Sequence, residues 1–329
     1  MILITGGAGY IGSHCVLNFL AAGYEVVIFD NLEVGHIETV EKLKKYGDVK
    51  FCEGDLKNPQ DLDKVFSENK IDAVIHFAAY ALVEESVIHP AKYYRNNVLG
   101  TLNLLESMIK HNVKKIVFSS TCATYGEPNY TPVDELHPQV PVNPYGMTKL
   151  MAERIMDDFD KAYGLKSIRL RYFNVAGADE QGRVGEWHET ETHLIPNIIK
   201  STMGEGRVFK MFGTDYDTSD GTCVRDYVNV EDLAEAHRLA YLYLLKENKT
   251  DVFNLGTEQG SSVKEVFDVC KKVLGREIPL EVCARRAGDP AALYANSQKA
   301  QNLLGWKPAR SLETSVKTAY EWEKILSEK

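Results

Sequence analysis

Hydrophobic and polar positions along the chain fall into two textures. Over the first half, short strand-like runs alternate with stretches in which apolar residues recur every three to four positions. The runs are Ile2-Leu3-Ile4-Thr5, then residues 25–29, 49–53, 73–77, 115–119 and 167–172. The mostly apolar runs among them, such as 2–5, 25–29 and 73–77, are what strands buried on both faces show. The helical stretches between them cover residues 10–22, 36–46, 90–111 and 145–163. Such alternation predicts an α/β fold built on a doubly wound parallel sheet, the Rossmann arrangement.

Beyond Asn174 the texture changes. Residues 177–191 and 213–221 are polar and loop-like, and the strand-like pieces at 210–212, 224–228 and 253–255 are short. Helical patterns cover 196–203, 230–245, 262–273 and 312–326. This reads as a smaller, interleaved C-terminal α/β lobe that binds substrate. The expected division is a nucleotide-binding domain over 1–173, rejoined by about 223–245, and a second lobe from 174–222 and 246–329.

Composition narrows the partners. The net charge is −9 with no Lys/Arg-rich block, which excludes nucleic acid and anionic membranes. An anionic ligand must therefore be held by local arginines or helix ends. No apolar run approaches the roughly 20 residues that span a bilayer. The chain opens directly on a strand, which leaves no room for a signal peptide. Six scattered cysteines without a CxxC read as free thiols of a reducing, cytoplasmic compartment. The nine histidines contain no HExxH, so no metal is expected.

The first strand runs into Gly6-Gly7-Ala8-Gly9-Tyr10-Ile11-Gly12, and a helical pattern follows. Gly7, Gly9 and Gly12 satisfy G-x-G-x-x-G; Gly6, Gly9 and Gly12 satisfy G-x-x-G-x-x-G. These glycines permit a tight turn and let a pyrophosphate reach N–H groups at the helix start. The second strand ends in Asp30, which suits a ribose diol and repels a 2′-phosphate, favouring NAD over NADP. Asp55, after the third strand, suits either the adenosine end of a cofactor or a helix cap. Small residues at 78 and 79 end the fourth strand, and Ser119-Ser120-Thr121 ends the fifth. Ligands of open α/β sheets sit beyond these carboxyl ends. Tyr145 and Lys149 lie four apart at the start of the next helix, on one face. A nearby ammonium would favour the phenolate and make the tyrosine a proton acceptor.

Thr5 to Gly12, Asp30-Asn31, Ser119-Ser120-Thr121 and the Tyr145/Lys149 pair resemble the extended short-chain dehydrogenase/reductases. His76-Phe77-Ala78-Ala79, Tyr94-Arg95-Asn96-Asn97, Arg171-Tyr172-Phe173-Asn174, residues 221–227, Asn254-Leu255-Gly256 and Arg285-Arg286-Ala287-Gly288-Asp289 are similar to UDP-glucose (UDP-galactose) 4-epimerases, across essentially the whole chain. The resemblance implies that Tyr145 is the catalytic base and acid, Lys149 its electrostatic partner, and Thr121 the hydroxyl that bonds the reacting oxygen. It implies NAD contacts from Gly6, Gly9, Tyr10, Ile11, Gly12, Asp30, Asn31, Asp55, Leu56, Phe77, Ala78, Ala79, Asn96 and Phe173, with Thr121, Tyr145 and Lys149. UDP-galactose or UDP-glucose would meet Asn174, His193, Leu194, Lys210, Phe212, Arg225, Arg286, Asp289 and Leu293, with Thr121 and Tyr145. The implied reaction is transient oxidation at sugar C4 by bound NAD, a 4-keto intermediate, and hydride return to the opposite face. A homodimer through the helices near 90–111 and 145–163 is implied as well.

Departures bear on substrate. Ala81 stands where many members carry lysine, His193 where some carry asparagine, Trp187-His188 where a more acidic pair is common, and Leu293 where sugar size is limited. Leucine there leaves N-acetylated sugars open. Two alternatives stand beside the epimerase. An NAD-dependent nucleotide-sugar 4,6-dehydratase or decarboxylase is one, although the related dehydratases place Asp-Glu after the threonine and here Cys122-Ala123 follow. A non-catalytic dinucleotide sensor is the other, although the tyrosine, lysine and hydroxyl are all retained.

Overall fold

The apolar runs of the first half become six parallel strands: β1 (Ile2–Thr5), β2 (Val26–Asp30), β3 (Val49–Glu53), β4 (Ala73–His76), β5 (Lys115–Thr121) and β6 (Lys166–Tyr172). The computed structural model describes residues 1–204, 207–286 and 289–328; Ala287 and Gly288 of the arginine motif lie outside them. A seventh strand, Asp251–Leu255, completes a sheet in the order (Asp251–Leu255)-β6-β5-β4-β1-β2-β3. Successive strand residues point to opposite faces. Ile2, Ile4, Val26, Ile28 and Ile75 enter one core cluster with helix α1 (Tyr10–Ala21) and the helix Val230–Glu247. Leu3, Val27, Phe29 and Val74 enter the other, with the helices Pro59–Glu68, Gly100–Lys110 and Pro144–Tyr163. Burial on both faces explains why β1, β2 and β4 show no polar alternation.

Two expectations change. The strand Asp251–Leu255, assigned by sequence to the second lobe, pairs in parallel with β6, Phe253 opposite Leu170. Its apolar pattern specifies a buried strand, but periodicity alone does not say which sheet the strand joins. The continuous helix expected over 90–111 is instead Pro90–Tyr93, a π-helical turn Tyr94–Leu99, and Gly100–Lys110. Wide turns of this kind occur chiefly at functional sites.

The remaining chain forms small pieces. Asn174–Ala176 pairs with Tyr227–Asn229, and Phe209–Phe212 with Leu280–Cys283. Val224–Arg225 lies between Ser261–Ser262 and Ala292–Leu293. Helices Leu194–Lys200, Val263–Leu274 and Leu312–Ser327 contribute to a separate apolar core. The helix Val263–Leu274 starts in a capping box: Ser262 accepts from the Glu265 N–H, and Glu265 accepts from the Ser262 N–H. No helix among the described residues is long and apolar enough to cross a membrane.

Candidate active site

The chain runs outward from β1 through β2 to β3, then returns to β4 on the other side of β1. The carboxyl ends of β1 and β4 therefore diverge and leave a crevice at the topological switch point. Gly6 turns the chain there with φ +72°, and a Cβ on it would stand 2.7 Å from the Ala78 nitrogen. A Cβ on Gly12 would stand 2.1 Å from the Gly6 oxygen. Neither position admits a side chain. Gly9 is the N-cap of α1 and brings no capping side chain, so the N–H groups of Tyr10, Ile11 and Gly12 remain for an anion.

Asp30 ends β2 and is buried. One carboxylate oxygen accepts the Ala8 N–H at 3.0 Å and the other the Leu32 N–H at 2.9 Å. Burial raises its pKa, and these two donors pull it back. Each oxygen keeps acceptor capacity for a ribose hydroxyl. Asn31 donates to Asp55 at 3.3 Å. Asp55 is no helix cap: it accepts the Lys57 N–H at 2.7 Å, and Asn58 caps the following helix. Leu56 and Asn96 are buried, while Phe77, Ala78 and Ala79 line the end of β4, half-buried. Tyr10 is anchored by donating to the Gly177 carbonyl at 2.5 Å. Open helix-terminal donors, a buried diol acceptor and small walls fit a dinucleotide.

The helix Pro144–Tyr163 begins where the Asn143 side chain accepts the Gly146 N–H at 2.8 Å, with proline in its first turn. It carries Tyr145 and Lys149 towards the end of β5. Burial pushes the Tyr145 phenol up to about 12, and the Thr121 side chain opposes the rise. Lys149 is anchored to the end of β5. Its ammonium donates to the Ser119 carbonyl at 2.8 Å and lies 4.9 Å from the centre of the Phe118 ring. Burial brings the lysine down to about 7, against the Glu153 carboxylate, which favours its proton.

Sequence reasoning passed over the layer behind these residues. Glu153, four positions after Lys149, is buried and receives the Arg171 Nε at 2.9 Å, its Nη2 at 2.6 Å and the Ser120 hydroxyl at 2.6 Å. Arg171 also donates to the Tyr125 hydroxyl at 3.0 Å, and Tyr125 donates to Asn254 at 2.6 Å. The network ties the helix Pro144–Tyr163 to β5, β6, the strand Asp251–Leu255 and the loop after Thr121. The 145/149/153 spacing was a readable signal for Glu153; Arg171 stood inside a quoted motif without a role. Asn97 acts similarly. It brackets Tyr80 through its N–H at 2.9 Å and its carbonyl at 3.0 Å, and donates to Thr148 at 3.1 Å.

The substrate-side residues are only partly brought together. Arg225 donates to the Pro290 carbonyl at 2.8 Å and to Asp289 at 3.3 Å, and its strand pairs with that of Leu293. Leu293 is buried with Phe173, Tyr125 and Val133, and Cys122 packs against them. Arg286 lies 4.2 Å from the centre of the Phe212 ring and 3.6 Å from Glu84. Asn174 is exposed, its N–H bonded to the Asp226 carbonyl at 2.9 Å. Lys210 is exposed, 3.8 Å from Glu281. The His193 ring is engaged with Glu186 and Glu191 at 2.5 and 3.2 Å, one residue before Leu194 opens a helix. That carboxylate–imidazole group was missed because its members match no metal-ligand motif.

Lys149→Met is expected to stabilise the fold while abolishing turnover. The lysine's folded pKa lies below its unfolded value, so the unfolded chain holds a proton that the fold sheds. Its cost is full below pH 7 and fades as pH rises towards about 10.4. The gain at pH 6 should be on the order of 2 kcal/mol, the desolvation cost less one lost hydrogen bond. It should shrink towards pH 10 in urea titrations; a constant loss of stability would contradict the assignment.

A nucleotide crevice with an acid at the second strand end, and a tyrosine, lysine and hydroxyl at the fifth, define an enzyme of the extended short-chain dehydrogenase/reductase class. The family described as GDP-mannose 4,6 dehydratase matches residues 3–319. A UDP-glucose 4-epimerase of Halalkalibacterium halodurans is 52% identical over 98% of this chain and 95% of its own. The crystal structure of UDP-glucose 4-epimerase from Brucella ovis in complex with NAD superposes with a TM-score of 0.92, at 46% identity over 97% of each chain. That of Bifidobacterium longum UDP-glucose 4-epimerase with NAD+ and UDP gives 0.93, at 40% identity over 98% of each. The chain belongs to the UDP-glucose 4-epimerase family.

Proposed function

We propose that this protein is an NAD-dependent isomerase that interconverts UDP-galactose and UDP-glucose by inverting C4 of the sugar. The observation that carries the reading is a buried Tyr145, its phenol eased towards ionisation by the Thr121 side chain at the end of β5, on the same sheet whose β2 ends in the buried Asp30. NAD, when bound, accepts the C4 hydride and returns it. The chain's own residues do the rest. Asp30 holds the adenosine ribose, and the α1 N-terminus receives the pyrophosphate. Lys149, near its titration point, supplies positive charge beside the nicotinamide ribose. Thr121 holds the reacting hydroxyl, and Tyr145 removes its proton and later restores it. Arg225 and Arg286 suit the diphosphate, and Asp289 a uridine ribose. Asn174, His193, Leu194, Lys210, Phe212 and Leu293 frame the sugar and uracil. Because the cofactor is regenerated in each cycle, no net redox change accompanies turnover.

The second lobe is assigned to the sugar nucleotide and the sheet domain to NAD. A dehydratase needs an acid and base after Thr121. The chain places there the half-buried Cys122, whose thiol burial pushes up to about 12, and Ala123. A homodimer is supported by Leu99 and Met151, exposed on the helical segments expected at the interface. Six free cysteines suit the cytoplasm. Incubation with UDP-galactose and no added NADH should yield UDP-glucose. Accumulation of a stable 4-keto sugar would indicate a dehydratase, and absence of any product a binding protein.

A further inference from the structure

Glu186, His188, Glu191 and His193 place two carboxylates and two imidazoles in one knot beside the cleft. One ligating atom from each lies within 4.8 Å of all the others. His188 Nδ1 stands 3.3 Å from Glu186 Oε1 and 3.8 Å from Glu191 Oε2, and His193 Nδ1 stands 2.5 Å from Glu186 Oε1. The glutamate side chains are only 6% and 4% exposed, while those of the histidines are 23% and 45% exposed. Two buried charges of one sign need a cation or donors. Yet Glu186 Oε1 and Glu191 Oε2 have no hydrogen-bond partner among the described residues. The other Glu191 oxygen is satisfied: it accepts the Thr192 and His193 N–H groups at 2.8 Å each and meets His193 Nδ1 at 3.2 Å. Lys200 stands 3.8 Å from Glu191 and closer to Glu323, at 3.4 Å.

We propose that these four side chains form a binding site for a divalent transition cation of the zinc type. Zinc takes four nitrogen and oxygen ligands at about 2.0–2.2 Å, in a tetrahedron with edges of roughly 3.3 Å. The His188–Glu186 separation of 3.3 Å already matches such an edge, and the 2.5 Å contact must open slightly. Imidazole ligands disfavour magnesium and calcium, which select oxygen. The segment is held on its other side as well. The Glu186 carbonyl accepts from Trp322 at 2.7 Å, and His36 stacks on Trp187 with ring centres 3.7 Å apart. A cation would close the free side and fix His193 and Leu194. A further consequence, which alone rests on the proposed epimerase reading, is a KM for UDP-sugar that changes with zinc while kcat does not.

The test uses the untagged full chain, stripped with chelator and titrated with Zn2+ and Co2+. One equivalent should bind. Cobalt should give the intense visible bands of a four-coordinate site without a sulfur charge-transfer band. Zinc, but not Mg2+, should raise the Tm. His188→Ala and Glu191→Gln, each checked for folding by circular dichroism, should weaken binding at least ~10-fold and lose the zinc-dependent rise in Tm. No stoichiometric binding, undiminished affinity in both variants, or cobalt held through cysteine sulfur would overturn the proposal. Binding is read without turnover, so its failure is distinct from failure of the epimerase assignment.

Discussion

Tyr145→Phe should lower kcat for UDP-galactose conversion by about 10³-fold, the scale of one positioned acid–base group. NAD content and the KM for UDP-sugar should stay close to those of the wild type, because the ring is retained and only the hydroxyl is lost. The hydroxyl has the attributes of a proton relay. Burial holds it protonated in the free protein, and Thr121 is the partner that eases its ionisation. Its neighbour Lys149 titrates near neutrality, so bound ligand need shift it little to charge it at working pH. A variant with near-normal turnover, bound NAD and bound UDP-sugar would remove Tyr145 from the chemistry.

The second large effect is on stability. Glu153→Ala should destabilise the fold by about 3–5 kcal/mol, because it strands the Arg171 guanidinium in the interior. Both side chains are buried, at 1% and 5% exposure. Burial by itself would raise the Glu153 pKa; Arg171, then Ser120, overcome this and hold it below the usual range. The folded pKa is depressed, so the stabilisation is present above the unfolded value of about 4.3 and is lost as pH falls through the folded one. Urea unfolding at pH 7 measures the loss. The double variant Glu153→Leu with Arg171→Met should recover at least about 2 kcal/mol of it, since an apolar pair leaves no charge behind. Equal losses in the single and double variants would show that the pair is not what Glu153 contributes. Activity should fall in Glu153→Ala too, because Ser120 and the loop after Thr121 lose their anchor.

Local patterns in the chain determined much of this molecule. Strands β1, β2 and β4 were visible because residues buried on both faces leave no polar alternation. The glycine turn was visible because Gly6 and Gly12 each stand where a Cβ would strike backbone. Asp30 and the Tyr145/Lys149 spacing were visible because both follow from a strand end and a helical turn, which are local geometry. What the tertiary structure alone decided depends on register and on residues far apart in the chain. The strand Asp251–Leu255 joined the central sheet because β6 offered an open edge. Lys149 turned to Ser119, and Thr121 became the partner of the phenol, because β5 ends beneath the catalytic helix. Tyr125 met Asn254 across 129 residues. Glu186, His188, Glu191 and His193 gathered into one knot because an irregular loop folded back on itself. A loop has no period, and so nothing in the order of its residues announces which side chains will meet.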